Sequence, residues 1–154
     1  MIDNKIVVLK KLATLFNKHS ITWNVGASCM LYLRNIIDDF NDIDIMISLE
    51  DVSLVKELLK EFHLEEKQPT TKYKTKVFLE YVIDSVEIDI MAGFLIVKDD
   101  NEFYFPLQKG LEMEQINIDN CPVNLESTHN WLKYYDLMGR DDKVAIIKEH
   151  MKKI

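Results

Sequence analysis

Two short segments in which acids alternate with aliphatic residues constrain the fold of this chain more than any other feature. Residues 42–48 read DIDIMIS, and residues 86–92 read VEIDIMA. Alternation at every second position is typical of a β-strand with one polar and one apolar face. The aliphatic run that ends the first segment indicates a strand that enters the core. The sequence therefore predicts two strands of a partly buried sheet, each with carboxylates on one face.

The remaining hydrophobic pattern surrounds these strands with helices and further strands. Helices are predicted at about 3–18, from Ser28 onward, and at 51–62, 126–138 and 141–152. Strands are predicted at about 21–25, 72–83, 94–97, 102–105, 114–118 and 121–124. Neither a linker nor a repeat marks a domain boundary. We therefore expect an α+β fold, a mixed β-sheet covered by helices with two C-terminal helices, in one domain over residues 1–154.

The net charge of the chain limits the kinds of partner that it is expected to bind. It carries 19 Lys and Arg against 26 Asp and Glu, a formal net charge of -7. Binding along a nucleic-acid duplex needs a cationic face that neutralises phosphates, so a duplex-coating protein is not expected. No stretch approaches the ~18 apolar residues of a membrane span, and no signal peptide is recognised. With Cys29 and Cys121 outside any paired motif, we expect a cytoplasmic protein with reduced thiols.

The acids of the first segment are suited to hold a metal ion. Asp42 and Asp44 lie two positions apart, so both carboxylates project from one face of a strand. Like charges this close raise each other's pKa unless a cation lies between them, and Mg²⁺ prefers such oxygen ligands. If the second strand is a neighbour of the first, Asp89 completes a triad able to hold two ions for phosphoryl chemistry. The alternative is that these acids line a solvated strand face.

A strand-to-helix turn precedes the first acidic segment, where the chain reads VGAS from Val25 to Ser28. Gly26 permits a tight turn and the close approach of a ligand. The free N–H groups at the start of the following helix are able to hold a phosphate. A plain turn in which Ser28 caps the helix explains the same residues.

Together these motifs resemble the nucleotidyltransferase superfamily related to polymerase β. The specific matches are GAS at 26–28, DIDI at 42–45 and EIDIMAG at 87–93. The chain is most similar in appearance to the small lincosamide-type and phage abortive-infection-type nucleotidyltransferases. Its tail, YYDLMGRDDKVAIIKEH, resembles the helix–Arg–helix ending that is common among them. The resemblance extends over most of the chain.

The resemblance implies a role for each matched residue. Asp42 and Asp44 match the metal-chelating pair, and Asp89 matches the third carboxylate, which binds the catalytic metal or deprotonates the acceptor hydroxyl. Residues 26–28 match the phosphate-binding turn. The family usually has Gly-Gly or Gly-Ser there, whereas Ala27 intervenes in this chain, so we expect phosphate contacts through the main chain of Gly26, Ala27 and Ser28.

A triphosphate also needs positive charge near it. Arg34, at the end of the second predicted helix, is expected to reach over the site, the alternative being an ion-paired surface residue. Lys72, Lys74 and Lys76 alternate, so they face one side of a predicted strand. They point either toward the nucleotide or into solvent, as the lysines that guard an exposed edge do.

Two more cations, Arg140 and Lys143, open the last predicted helix. Positive charge is unfavourable at that end of a helix because it opposes the helix dipole. The placement hints at another duty, such as contact with a nucleotide or an acceptor.

The expected activity is a Mg²⁺-dependent transfer of a nucleoside monophosphate from an NTP to a hydroxyl-type acceptor, with release of pyrophosphate. The acceptor is left open among a small antibiotic, an RNA end and a protein side chain. A homodimer that completes the site is expected from the short chain and the resemblance. The alternative is a protein of the same fold without turnover, such as a component of a toxin–antitoxin pair.

Overall fold

The computed structural model describes residues 2–71 and 74–153. In this part of the chain the helices are α1 (Ile2–Lys18), α2 (Ala27–Leu33), α3 (Val52–Leu58), α4 (Thr128–Leu137) and α5 (Asp141–Lys152). The strands are β1 (Trp23–Gly26), β2 (Ile43–Ile47), β3 (His63–Lys67), β4 (Val77–Ile83), β5 (Val86–Ala92), β6 (Phe94–Lys98), β7 (Asn101–Phe105), β8 (Glu114–Ile118) and β9 (Cys121–Leu125). A short 3-10 turn, Leu49–Asp51, leads into α3.

Seven strands form one mixed sheet in the order β3-β4-β5-β2-β1-β9-β8, and β6 pairs with β7 in a separate hairpin. The pairs β2–β5 and β1–β9 are parallel, and the other neighbours are antiparallel. The predicted α+β fold with a mixed sheet is therefore confirmed. The parallel pair places the two acidic strands side by side, with residues 43–46 of β2 in register with residues 88–91 of β5.

The alternation of side chains along the two acidic strands separates an aliphatic face from an acidic one. Ile43 and Ile45 of β2 and Ile88 and Ile90 of β5 are completely buried. They belong to the same core as the apolar side chains of α1, which lies against β5 and β9. Burying such side chains stabilises the fold by roughly 1.5–3 kcal/mol each. Because neighbouring residues point to opposite faces, Asp44 and its cross-strand partner project from the other face.

The C-terminal helices pack against each other, and α4 lies on β6. An aromatic cluster joins α4 to the hairpin, with ring centroids 4.8 to 6.4 Å apart. Its members are Phe94, Phe105, Trp131 and Tyr134. Ser127 caps α4 by accepting a hydrogen bond from the backbone N–H of Asn130. This packing holds the C-terminal helices beside the acidic face of the sheet.

Three local predictions differ from the structure. The strand expected at 72–83 begins at Val77, because the chain before it is held near the β5–β6 junction, where the Lys76 N–H donates to the Gly93 carbonyl at 3.1 Å. The helix expected at 51–62 ends at Leu58. The edge strand β3 was not predicted, since its sequence HLEEK is mostly exposed and lacks apolar alternation.

Candidate active site

A cavity of about 340 Å³ lies where the acidic face of the sheet meets α2, α4 and α5. Asp42, Asp44 and Asp89 line it from the sheet, and Arg140 and Lys143 line it from the start of α5. The other walls are formed by Ala27, Ser28, Thr75, Phe78, Met91, Phe94, Trp131, Tyr135 and Met138. The cavity therefore combines acidic and basic side chains with an apolar, largely aromatic lining.

The three carboxylates converge at one point of this cavity. Asp42 immediately precedes β2, Asp44 lies within β2, and Asp89 is the register partner of Asp44 on β5. Each offers a ligand oxygen, and these oxygens all lie within 4.8 Å of one another. Opposite ligands of a single Mg²⁺ ion, held at 2.0–2.1 Å from the metal, are separated by roughly 4 Å. The spacing is therefore close to that of a coordination shell.

Their closeness disturbs the ionisation of the carboxylates. Desolvation, and then the charges of Asp42 and Asp89, raise the pKa of Asp44 well above its usual range. Desolvation, and then a hydrogen bond to Asp42 and the negative charge of Asp42, raise the pKa of Asp89 to about 7. In the metal-free protein this cluster consequently retains protons near neutral pH, and a bound cation would displace them.

The donor set fits a hard divalent cation. Within residues 2–71 and 74–153, the ion pairs shorter than 4 Å include none of these three carboxylates. Three carboxylates this close together are unfavourable unless protons or a metal offset their charge. Oxygen-only ligands of this kind are those that Mg²⁺ takes. Asp42, Asp44 and Asp89 are therefore the residues that would hold a metal here.

Gly26 is required by close packing rather than by an unusual backbone angle. It has φ -124° and ψ -167°, an extended conformation that any residue adopts. A Cβ at this position would lie only 2.4 Å from the indole nitrogen of Trp131 and 2.6 Å from two ring carbons. The indole of α4 thus rests directly on the turn that opens α2.

Ala27 occupies the strained position of the same turn. Its φ is 51°, in the left-handed region that costs an L-residue roughly 1–2 kcal/mol and that glycine adopts freely. This is the position at which the resemblance already showed a departure from the usual glycine-rich turn. Ala27 and Ser28 both line the cavity, so the turn forms part of its wall.

Ser28 contacts the last helix. Its hydroxyl accepts a hydrogen bond from the ammonium of Lys143 at 3.2 Å. Tyr135, a buried residue of α4, lines the same cavity as Ser28. Gly26, the residue before α2, has no side chain with which to cap this helix.

The cations at the cavity are those that open α5. Arg140 pairs with Asp142 at 3.2 Å, and its guanidinium carbon lies 6.0 Å from the ring centre of Tyr135. Lys143 faces the turn through Ser28. In the sequence, the unfavourable position of both cations at a helix start was the feature that indicated a role for them. The acids Asp141 and Asp142 in the first turn offset this unfavourable charge.

The structure does not bring Arg34 to the carboxylates. Its guanidinium donates to both carboxylate oxygens of Glu114, at 3.0 and 3.2 Å, and to the backbone carbonyl of Glu126 at 2.7 Å. It lines a different cavity, of about 440 Å³, together with His129 and His150. Arg34 thus links the end of α2 to β8 and to the segment before α4.

The lysines before β4 also lie elsewhere. Lys74 pairs with Glu102 of β7 at 3.3 Å, and the ammonium of Lys76 lies 5.1 Å from the ring centre of Tyr104. Both line a separate surface cavity beside the β6–β7 hairpin. Lys72, the third residue of that predicted group, lies outside the described residues.

No protein-family model matches this chain, and no curated protein matches its sequence. Solved structures match its fold. A Thermotoga maritima protein provisionally described as a nucleotidyltransferase has a TM-score of 0.76 and 19% identity, with 100% of this chain and 97% of that chain covered.

Two structures of ANT(2'')-Ia also match. In complex with adenylyl-2''-tobramycin its TM-score is 0.60 at 11% identity, covering 96% of this chain and 90% of that chain. The solution structure of this antibiotic-resistance factor has a TM-score of 0.57 at 12% identity, covering 99% and 94%. The chain therefore has the nucleotidyltransferase fold, as the motifs at 26–28, 42–45 and 87–93 indicated.

No helix in residues 2–71 and 74–153 combines the length and the apolar character that crossing a membrane requires.

Proposed function

We propose that this chain is a Mg²⁺-dependent nucleotidyltransferase, working as one domain, that transfers a nucleoside monophosphate from an NTP to a hydroxyl-type acceptor. The observation that carries the proposal is that three converging carboxylates and two cations line one cavity. Carboxylates are metal ligands, and lysine and arginine are phosphate ligands. A metal–triphosphate is the kind of ligand that needs both in the same place.

In this proposal the cavity takes the triphosphate. Asp42 and Asp44 would hold a metal ion, as the resemblance implies. Lys143 and Arg140, which line the same cavity, would offset phosphate charge. The turn at residues 26–28 supports the phosphates through its main chain. The apolar lining, which includes Phe78, lies where a nucleobase and sugar would be sheltered from water.

The reaction forms a bond between the acceptor oxygen and the α-phosphorus and breaks the bond to the bridging oxygen, which leaves with pyrophosphate. Bound Mg²⁺ would lower the pKa of the acceptor hydroxyl and offset charge on the leaving group. Asp89 either takes the acceptor's proton or holds the ion that activates it. Its position beside Asp44 in the parallel register is compatible with both roles.

The decisive experiment separates binding from turnover. Asp89→Ala is expected to retain Mg²⁺-dependent NTP binding through Asp42 and Asp44 and to lose pyrophosphate release by orders of magnitude. Glu87→Ala is the matched control, because this exposed acid lies two residues earlier on the same strand face. Equal turnover in wild type and Asp89→Ala would contradict the assignment.

The acceptor is to be found by a screen for pyrophosphate release. ANT(2'')-Ia is seen with adenylyl-2''-tobramycin, so tobramycin and other hydroxyl-bearing antibiotics are the first acceptors to test. RNA ends and protein hydroxyls complete the panel. A homodimer is part of the proposal, and light scattering of the purified protein tests it.

A second candidate is a binding protein of this fold without turnover. Two observations favour this alternative: the strained backbone of Ala27 in the turn and the ion pair of Arg34 with Glu114. Under this alternative the wild type binds an NTP with Mg²⁺ and releases no pyrophosphate with any acceptor on the panel.

A further inference from the structure

The hydroxyl of Ser28 is the point at which α5 meets the turn at residues 26–28, because Lys143 of α5 donates a hydrogen bond to it at 3.2 Å. A serine hydroxyl has one proton to donate and two lone pairs to accept with. The bond from Lys143 therefore occupies one of these lone pairs before any ligand arrives.

The ammonium of Lys143 can donate more hydrogen bonds than the one that Ser28 accepts. An ammonium carries three N–H donors, and in the described part of the chain Ser28 is the one hydrogen-bond partner of this ammonium. Lys143 also lines the cavity that Asp42 and Asp44 line. Two of its donors thus remain for an anion held in that cavity.

A lysine needs such an anchor more than an arginine does. Its charge sits at the end of a flexible four-carbon stem, and fixing that stem costs conformational entropy. Arg140 is restrained by its pair with Asp142 and by the ring of Tyr135. Lys143 is restrained by its hydrogen bond to Ser28.

We propose that Ser28 is a positioning residue whose hydroxyl holds Lys143 toward the phosphates, and that the Lys143 ammonium makes the phosphate contact. This inference rests on the proposed function and assigns to Ser28 a role other than direct phosphate binding. It also gives the contact between α5 and the turn a role in ligand binding.

A double-mutant cycle tests the proposal with inorganic tripolyphosphate and Mg²⁺ as the probe, since this probe reports phosphate contacts without a nucleobase. Affinities are measured by calorimetry for wild type, Ser28→Ala, Lys143→Ala and the double variant. We expect a loss of tenfold or more for Lys143→Ala and of about three- to tenfold for Ser28→Ala. The double variant should bind within twofold of Lys143→Ala, because residues that act through one contact are not additive.

The controls exclude a structural explanation. Lys133→Ala removes an exposed lysine of α4 that lies over Phe105 and should leave affinity unchanged. Circular dichroism and melting temperatures verify that each variant folds.

The outcomes separate this inference from the proposed function. If Ser28→Ala weakens the probe by the same factor with and without Lys143, Ser28 contacts the phosphates itself and the inference is overturned while the proposed function stands. If the wild-type protein binds neither tripolyphosphate nor an NTP with Mg²⁺, the proposed function fails and the inference fails with it.

Discussion

Asp44 and Asp89 occupy matching positions on two parallel neighbouring strands, and their carboxylates project into the same cavity. A sheet that paired these strands one residue out of register would send one of the two side chains to the opposite face. The aliphatic residues on either side of each acid are buried in the core, and this burial holds the register. The hydrophobic core thus positions the metal ligands.

Replacing Asp44 by Asn should stabilise the metal-free fold and remove metal-dependent binding. The substitution relieves the repulsion among three clustered carboxylates, and we expect a gain of about 1 kcal/mol, or 2–4 °C in melting temperature. Mg²⁺-dependent NTP affinity should be lost. Thermal denaturation in EDTA and calorimetric titration measure the two effects, with Glu87→Gln as the control. Unchanged Mg²⁺-dependent affinity would refute the role of Asp44.

The stability of the metal-free protein should fall as the pH rises. Asp44 and Asp89 have raised pKa values in the folded state, to about 7 for Asp89, so the folded protein binds more protons than the unfolded chain. Their contribution is fully present below pH ~4 and is lost as the pH rises to about 7 and above. Melting curves in EDTA from pH 5 to pH 8 should show this loss.

Added Mg²⁺ should reverse the same trend. A cation binds the deprotonated carboxylates, so it should raise the melting temperature more at pH 8 than at pH 5. In Asp44→Asn both the pH dependence and the effect of Mg²⁺ should shrink. A Mg²⁺ effect of equal size at both pH values would speak against a carboxylate site.

Ala27→Gly should stabilise the protein. Ala27 has a φ of 51°, and glycine removes the steric cost of that conformation, although it adds freedom to the unfolded chain. We expect a net gain of up to about 1 kcal/mol in chemical denaturation. Ala145→Gly, on the exposed side of α5, is the control and should cost about 1 kcal/mol. Losses of the same size in both variants would mean that the turn at Ala27 is not strained.

Gly26→Ala should destabilise the protein through a collision with Trp131. The added methyl group would lie 2.4 Å from the indole nitrogen, so α4 must shift, at a cost of about 1–3 kcal/mol. Gly139→Ala is the comparison, because that glycine has φ 74° and open space around it, so only backbone strain is added. Combining Gly26→Ala with Trp131→Leu should cost less than the sum of the two single changes.

Arg34→Ala should lower stability and leave nucleotide binding unchanged. The variant breaks the pair with Glu114 and the bond to the Glu126 carbonyl, which should cost about 1–2 kcal/mol. Mg²⁺-dependent NTP affinity should stay within twofold of wild type, in contrast to the large loss expected for Lys143→Ala. A loss of NTP affinity in Arg34→Ala would mean that Arg34 takes part in nucleotide binding.

Local features of the site follow from the sequence alone. The two-residue period of a strand predicted that Asp42 and Asp44 share one face, and both line the same cavity although Asp42 lies just before β2. The residue types in DIDI and EIDI indicated oxygen ligands for a hard cation, and the motifs together indicated the fold that the solved structures confirm. These inferences depend on short-range geometry, which a sequence contains directly.

The tertiary structure decided what depends on contacts between distant segments. That Asp89 lies beside Asp44 requires β2 and β5 to pair across the β3–β4 hairpin between them in the chain. The sequence did not show which of Arg34 and Lys143 lies at the candidate site. The packing of α4 and α5 onto the turn brings Lys143 to Ser28. Arg34 instead forms an ion pair with Glu114 of β8. Side-chain direction is a local property, but the partner that a side chain meets is set by how the whole chain packs.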